Sequence, residues 1–263
     1  MRRRISDIAS LWALLLSVLA MLPILPSLGQ AQERVGIVTF TVDNITSRFF
    51  KQRMQVFFEN DVPGTMFGQT KPITGEPGDI YWPEIRDMID HGWEFGAHGY
   101  SHGRVSEMDD DTLDFELGTP AAYIYRGTGV YPTSLASPHG AYDTRVMERA
   151  KVYYDAHFRA WGNGGVNLFE GTDHFQIYRE QLDNELSNED TCAEIERAGR
   201  EGHWMVVMLH RIVDEPTDEY ENSTSQFEAA VSCAARLRDE GKVRLMNARD
   251  ALKLILHTPR ARR

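Results

Sequence analysis

Residues 93–102 read Trp93-Glu94-Phe95-Gly96-Ala97-His98-Gly99-Tyr100-Ser101-His102. A short apolar run ends in two histidines four positions apart. Trp93 to Ala97 has the length and aromatic character of a strand, and polar residues follow at its C-terminal end. If the chain turns helical there, His98 and His102 share one face, and their imidazoles can hold one metal ion. Gly96 and Gly99 let the backbone pass close to such a site. A solvated pair of surface histidines is the alternative reading of the spacing.

The same arrangement recurs along the chain. Val35 to Val42 ends in Thr41-Val42-Asp43-Asn44. Ser134 to Ser137 leads into Pro138-His139-Gly140-Ala141-Tyr142-Asp143. His203 to Leu209 ends in His210. Taken singly, each is equally a turn, a loop or a strand cap. Together they put polar groups at the C-terminal ends of several strands, where α/β barrels carry their active sites. Strands are predicted at 35–42, 63–67, 93–97, 134–137, 153–158, 204–209 and 243–246. Helices are predicted at 47–60, 82–91, 109–126, 143–151, 189–201, 225–240 and 248–257. This alternation predicts parallel β-α units.

Arg2, Arg3 and Arg4 precede an apolar stretch from Leu11 to Leu25, followed by Gly29-Gln30-Ala31. That is the pattern of a secretory signal cut after Ala31. Pro23 and Pro26 interrupt the stretch, which is short for a spanning helix; an uncleaved anchor is the alternative. The expectation is a secreted or periplasmic protein with one domain over 32–263 and no stable membrane insertion after cleavage. The formal net charge is −11, and loss of residues 1–31 removes three arginines and one aspartate, giving −13. A chain this acidic has no footprint for nucleic acid or anionic lipid and suits a neutral or cationic glycan. Cys192 and Cys233, the only cysteines, read either as a disulfide of an exported protein or as two small core residues.

These motifs, in this order, resemble the polysaccharide deacetylases of the NodB type, carbohydrate esterase family 4. Thr41-Val42-Asp43-Asn44 is similar to the family's first motif, T-F-D-D, and His98 to His102 to its second. Ala136-Ser137-Pro138-His139-Gly140 stands where R-P-P-Y-G is expected. Asp155, Arg159 and Trp161 are candidates for a variable fourth motif, and Met208-Leu209-His210 is similar to L-x-H. Pro138 to Asp143, with Trp204, look most like the branch acting on poly-N-acetylglucosamine.

The resemblance implies a distorted (β/α) barrel of about seven parallel strands, with its site at their C-terminal face. It implies a monomeric hydrolase that removes N-acetyl groups from an acetylated amino-sugar polysaccharide. The cofactor would be a divalent metal, zinc first, with cobalt, nickel or manganese as alternatives. Asn44, His98 and His102 would hold it, with Asp43 as general base and His210 as general acid; the alternative register makes Asp43 the ligand, with Val42 standing where the base is expected. His139, Tyr142, Trp161 and Leu209 would serve substrate or oxyanion, with Met208 an alternative to Leu209 in the pocket wall. Two departures stand out: Asn44 replaces a second aspartate, and the third motif lacks its arginine. They leave open a catalytically weak or inactive carbohydrate-binding barrel. An esterase for O-acetyl groups on glycans would use the same site.

Overall fold

The strand Gly36–Asp43 (β1), GIVTFTVD, is buried at every position, and its side chains alternate between two layers. Val38, Phe40 and Val42 face outward into the main core. Ile37 belongs to a separate inner cluster, and Thr39, Thr41 and Asp43 follow it on the inward side. The polar members of this row are satisfied: Trp204 Nε1 donates to Thr39 Oγ1 at 2.9 Å, and Thr41 Oγ1 donates to the Val207 carbonyl at 2.9 Å. Burial of both faces explains the near-continuous apolar look of β1, and the inward polar row carries the chain towards a site at Asp43.

The computed structural model describes residues 35–71, 73, 79–160, 166–182 and 185–257. After β1 come Gly64–Gly68 (β2), Glu94–Ala97 (β3), Ser134–Ala136 (β4), Ala156–Phe158 (β5) and Glu180–Gln181 (β6). Trp204–Leu209 (β7), Arg211–Val213 (β8), Glu221–Ser223 (β9) and Val243–Leu245 (β10) complete the strands. The main sheet runs β5-β4-β3-β2-β1-β7-β6, with β10 also on β1, and every pairing in it is parallel. Beyond β5 the chain returns to meet it: Arg159 N–H donates to the Ile177 carbonyl at 2.8 Å, and Ile177 N–H to the His157 carbonyl at 3.1 Å. Three residues later β6 pairs with β7. Residues 177–181 therefore bridge β5 to β7 and curl the sheet into a distorted (β/α) barrel.

Helices alternate with the strands as the pattern predicts, and their starts have a local cause. Side chains of Asp109, Asp143, Ser187 and Ser223 accept the backbone N–H three residues on, capping helices Asp110–Thr128, Thr144–Ala150, Asn188–Glu201 and Thr224–Asp239. The last helix, Ala248–His257, contributes Ala248, Ala251, Leu252 and Ile255 to the inner cluster with Ile37, Phe67, Phe158 and Trp204. It plugs the barrel at the N-terminal ends of the strands and leaves the other end for function. All seven predicted strands are present, the fifth starting later, at Ala156. The short strands β6, β8 and β9 were not predicted. Residues 98–102 are a loop, not the helical turn that the histidine spacing suggested.

The proposed signal segment lies outside the described residues. Among those described, no helix is long and apolar enough to cross a membrane. Cys192 and Cys233 form a disulfide that ties helix Asn188–Glu201 to helix Thr224–Asp239, with 41 residues of separation and a Cα–Cα distance of 5.7 Å. Closing a loop of that length restricts the unfolded chain. Replacing both cysteines by serine should therefore cost about 2–4 kcal/mol in denaturant unfolding. Unchanged stability would show that the bond constrains nothing.

Candidate active site

Asn44 follows β1, His98 follows β3, Ser137 and His139 follow β4, and His210 follows β7. The C-terminal ends of four strands thus meet at one cavity of about 630 Å³. Its wall includes Asp43, Asn44, His98, His102, His139, Met208 and His210.

The imidazoles converge by their Nε2 atoms. His98 is buried, and its Nδ1–H donates to the Ala136 carbonyl at 2.8 Å, which leaves the Nε2 lone pair pointing into the cavity. His98 Nε2 lies 3.2 Å from His102 Nε2. The Asn44 amide sits between the histidines, its Nδ2 being 3.3 Å from His102 Nε2 and 3.4 Å from His210 Nε2. Two nitrogens on one tetrahedral zinc, at bonds of about 2.0–2.1 Å, stand about 3.3–3.4 Å apart. Asn44 Oδ1 is buried without a hydrogen-bond partner, and rotation of the amide brings this oxygen to the ring nitrogens in place of Nδ2. An orphaned oxygen beside two facing ring nitrogens fits a divalent cation. Among the described residues no three His, Cys, Asp or Glu side chains are arranged to hold a metal; beside the two imidazoles, a third donor would be the amide.

Electrostatics favour the same reading. Burial holds His98 below its ordinary pKa despite Asp43 nearby. Burial, with His98 and His139 adding to it, pushes His102 down to about 4. Burial also lowers His210, against the pull of Asp43. All three rings are therefore uncharged near neutral pH, the form in which imidazole binds metal.

The loop that brings His102 to His98 is strained and braced. Among the described residues four non-glycines have positive φ, and three of them line the cavity: Asn44 at 57°, His102 at 66° and His139 at 57°. Such backbone costs about 1–3 kcal/mol per residue and persists only where neighbours impose it. The buried Glu116 supplies much of that constraint. Its carboxylate accepts from Tyr100 N–H at 2.9 Å, Ser101 N–H at 2.9 Å and Ser101 Oγ at 2.5 Å. His139 Nε2 donates to the His102 carbonyl at 3.0 Å from the other side.

Asp43 has a different partner. Arg179 grips both carboxylate oxygens, Nη1 to Oδ1 at 2.6 Å and Nη2 to Oδ2 at 3.0 Å, while its Nε donates to the Arg159 carbonyl at 2.8 Å. The two side chains are 0% and 6% exposed. Burial alone would raise the Asp43 pKa, but the guanidinium, with His98 and His210, more than offsets this and holds it below the ordinary carboxylate value. Arg179 lies in the barrel-closing segment just before β6. The arginine missing from the third motif, which starts at Ala136, is thus supplied by a residue 43 positions beyond it and 136 beyond Asp43.

Other predicted residues are distributed as follows. Leu209 is fully buried in the outer core, and Met208, one position back on β7, faces the cavity in its place; strand alternation allows only one of the two to do so. Tyr142 sits outside the cavity wall, its ring 4.9 Å from His157 and its hydroxyl 3.5 Å from Gln176 Oε1. Arg159 lies over the Tyr178 ring at 4.7 Å, and Asp155 is exposed at the start of β5. Trp161 lies outside the described residues. Sequence reasoning missed Arg179 and Glu116, along with His157, which is held at 3.0 Å from Ser137 Oγ beneath the cavity.

Removing one partner of a buried pair strands the other charge. Arg179→Met should cost about 3–5 kcal/mol of stability. Asp43→Asn combined with Arg179→Met should recover much of that loss, because no charge is left unpaired. Additive losses in a denaturant double-mutant cycle would contradict the coupling.

A protein-family model described as polysaccharide deacetylase matches residues 30–154, the segment that holds Asp43, Asn44, His98, His102 and His139. Solved structures share the fold over a longer span. The Xyl-CE4 domain of a multidomain xylanase from the hindgut metagenome of Trinervitermes trinervoides aligns with a TM-score of 0.58 at 13% identity, over 86% of this chain and 94% of that one. A CE4 family pseudoenzyme from Bacillus anthracis aligns with a TM-score of 0.57 at 15% identity, over 84% and 66%. A family 4 carbohydrate esterase from Streptomyces lividans, in complex with acetate, aligns with a TM-score of 0.54 at 18% identity, over 79% and 90%. No curated protein matches by sequence. Over residues 30–154 the chain thus matches the polysaccharide deacetylase family, and solved structures of carbohydrate esterase family 4 share its barrel.

Proposed function

We propose that this protein is a metal-dependent hydrolase of the N-acetyl groups of an N-acetylglucosamine-containing polysaccharide, exported to act outside the cytoplasm. The observation that carries the reading is the division of labour between adjacent residues: Asp43 is locked to Arg179, and Asn44 faces the imidazoles. A divalent cation, zinc first, held by His98, His102 and the Asn44 amide oxygen, would polarise the amide carbonyl and acidify water.

The chain's own groups supply the rest. Asp43 takes the proton of the attacking water, with Arg179 fixing the orientation of its carboxylate. His210 reaches Asn44 from the opposite side to His102; its ring, uncharged in the resting site, would take up a proton before handing one to the leaving amine. The backbone at His139, held in a left-handed conformation, borders the cavity where the oxyanion develops. Met208 offers an apolar wall to the acetyl methyl.

A second reading has its own support. The Asn44 amide brings no charge to a cation, and both Asp43 oxygens are already engaged, as in a barrel that binds glycan with little or no turnover. The readings separate in one set of assays: acetate release from N-acetylglucosamine oligomers, peptidoglycan and acetylated xylan, after dialysis, with and without zinc. We expect zinc-stimulated release from the amino-sugar substrates. Release from xylan alone would make the protein an O-acetyl esterase, and no release would favour the binding barrel.

Variants resolve the roles. Asp43→Asn should keep the metal and lose turnover, whereas Asn44→Asp should tighten metal binding. His210→Ala should lower the rate by about 10²-fold or more with bound metal unchanged. Metal lost from Asp43→Asn, and kept in Asn44→Ala, would reverse the assignment of the two residues.

A further inference from the structure

The exposed aromatic side chains are unevenly spread. Of the six exposed aromatic side chains among the described residues, Phe115, Tyr123, Tyr125 and Tyr131, 41–61% exposed, lie on or against the helix Asp110–Thr128; Tyr81 lies near its end and Tyr220 at the cavity. Phe115 and Tyr123 both stand edge-on to Tyr100, with ring centroids 5.0 and 6.0 Å away. Tyr125 and Tyr131 are stacked at 4.2 Å with their planes 11° apart. Tyr81 precedes Trp82, whose ring abuts Gly127 near the helix end.

This patch is continuous with the cavity. Tyr100 lies in the loop between His98 and His102. The neighbouring Ser101 is hydrogen-bonded to Glu116 of the same helix. One side of the loop lines the cavity and the other meets the aromatic residues. Phe115 and Tyr123 are eight residues apart, about 12 Å along the helix, a spacing that suits alternate sugars of an extended polymer. By helical periodicity, Asp111, Thr119, Ala122 and Arg126 share the face with Phe115. A surface of rings, hydroxyls, small residues and both signs of charge is too polar for a lipid or core-like protein contact. It offers flat apolar platforms and hydrogen-bonding rims, which match the two faces of a pyranose.

We infer that the Tyr100–Phe115–Tyr123 surface is a second glycan-binding site, which holds a neutral N-acetylated amino-sugar polymer beside the cavity. It rests on the proposed substrate class. Its role is to keep a long chain on the protein while successive sugars visit the cavity, so it contributes to polymer affinity and not to the chemical step.

The test is affinity electrophoresis of the whole protein through gels containing glycol chitin, a soluble uncharged polymer of N-acetylglucosamine. It is paired with acetate release from a short N-acetylglucosamine oligomer. Phe115→Ala combined with Tyr123→Ala should weaken retention by about tenfold and leave release from the short oligomer unchanged. Retention of the variant equal to wild type, or equal losses on polymer and oligomer, overturns the second site. Wild type retained by the polymer in a variant-sensitive way, yet releasing no acetate, keeps the second site and removes the hydrolase reading. Release of acetate without retention does the opposite. If the double substitution instead abolishes binding to phosphatidylcholine vesicles or dissociates a dimer, the surface belongs to a membrane or to a second copy of the chain.

Discussion

The buried ion pair of Asp43 and Arg179 is the interaction on which the rest of the site depends. A carboxylate at the inner end of β1 would be strongly disfavoured by burial. Both of its oxygens are taken by a guanidinium that is itself fully buried and tied back to the Arg159 carbonyl. Such a pair adds little net stability, since desolvation of two charges roughly cancels their attraction, but breaking it is costly. Its effect is therefore one of specification. It fixes where residues 177–181 can lie, closes the barrel between β5 and β7, and holds the Asp43 carboxylate ionised. With Asp43 so committed, its neighbour Asn44 is the group left to meet the imidazoles.

Three strained residues surround that arrangement, and each is held by an identifiable contact. Asn44 tolerates a left-handed backbone better than most residues, so the strand can end abruptly and turn its amide inward. His102 is held between Glu116 below and His139 beside it. A helical turn would have brought His98 and His102 to one face without any of this. The loop instead sets their Nε2 atoms 3.2 Å apart and leaves Tyr100 free to turn onto the neighbouring helix. The strain concentrates where a cation and a substrate would be held, the usual place for a protein to keep it.

Much of this was legible in the sequence. The seven main strands and the helices between them announce themselves through apolar runs and their alternation with helical patterns. The residues that converge at the cavity are the polar ones directly after strands. What was not legible has a common cause. Arg179 sits just before a two-residue strand too short to show periodicity, and it acts on a carboxylate 136 positions away, so no local pattern could name it. Glu116 looked like one more acidic residue on an acidic helix, and only burial distinguishes it. The choice between Met208 and Leu209 turned on the inward register of β7, which the apolar run Trp204–Leu209 conceals because both faces of the strand are buried. The weak third motif looked like a defect in the machinery, yet its missing arginine is replaced in space.

The central claim is that Asp43 remains with Arg179 while Asn44 serves the cation. A crystal structure of the protein loaded with zinc tests it most directly. The account predicts one zinc bound by His98 Nε2, His102 Nε2 and Asn44 Oδ1, with the Asp43–Arg179 pair intact. A zinc ligated by Asp43, its carboxylate swung away from Arg179 and Asn44 left outside the coordination sphere, would contradict it.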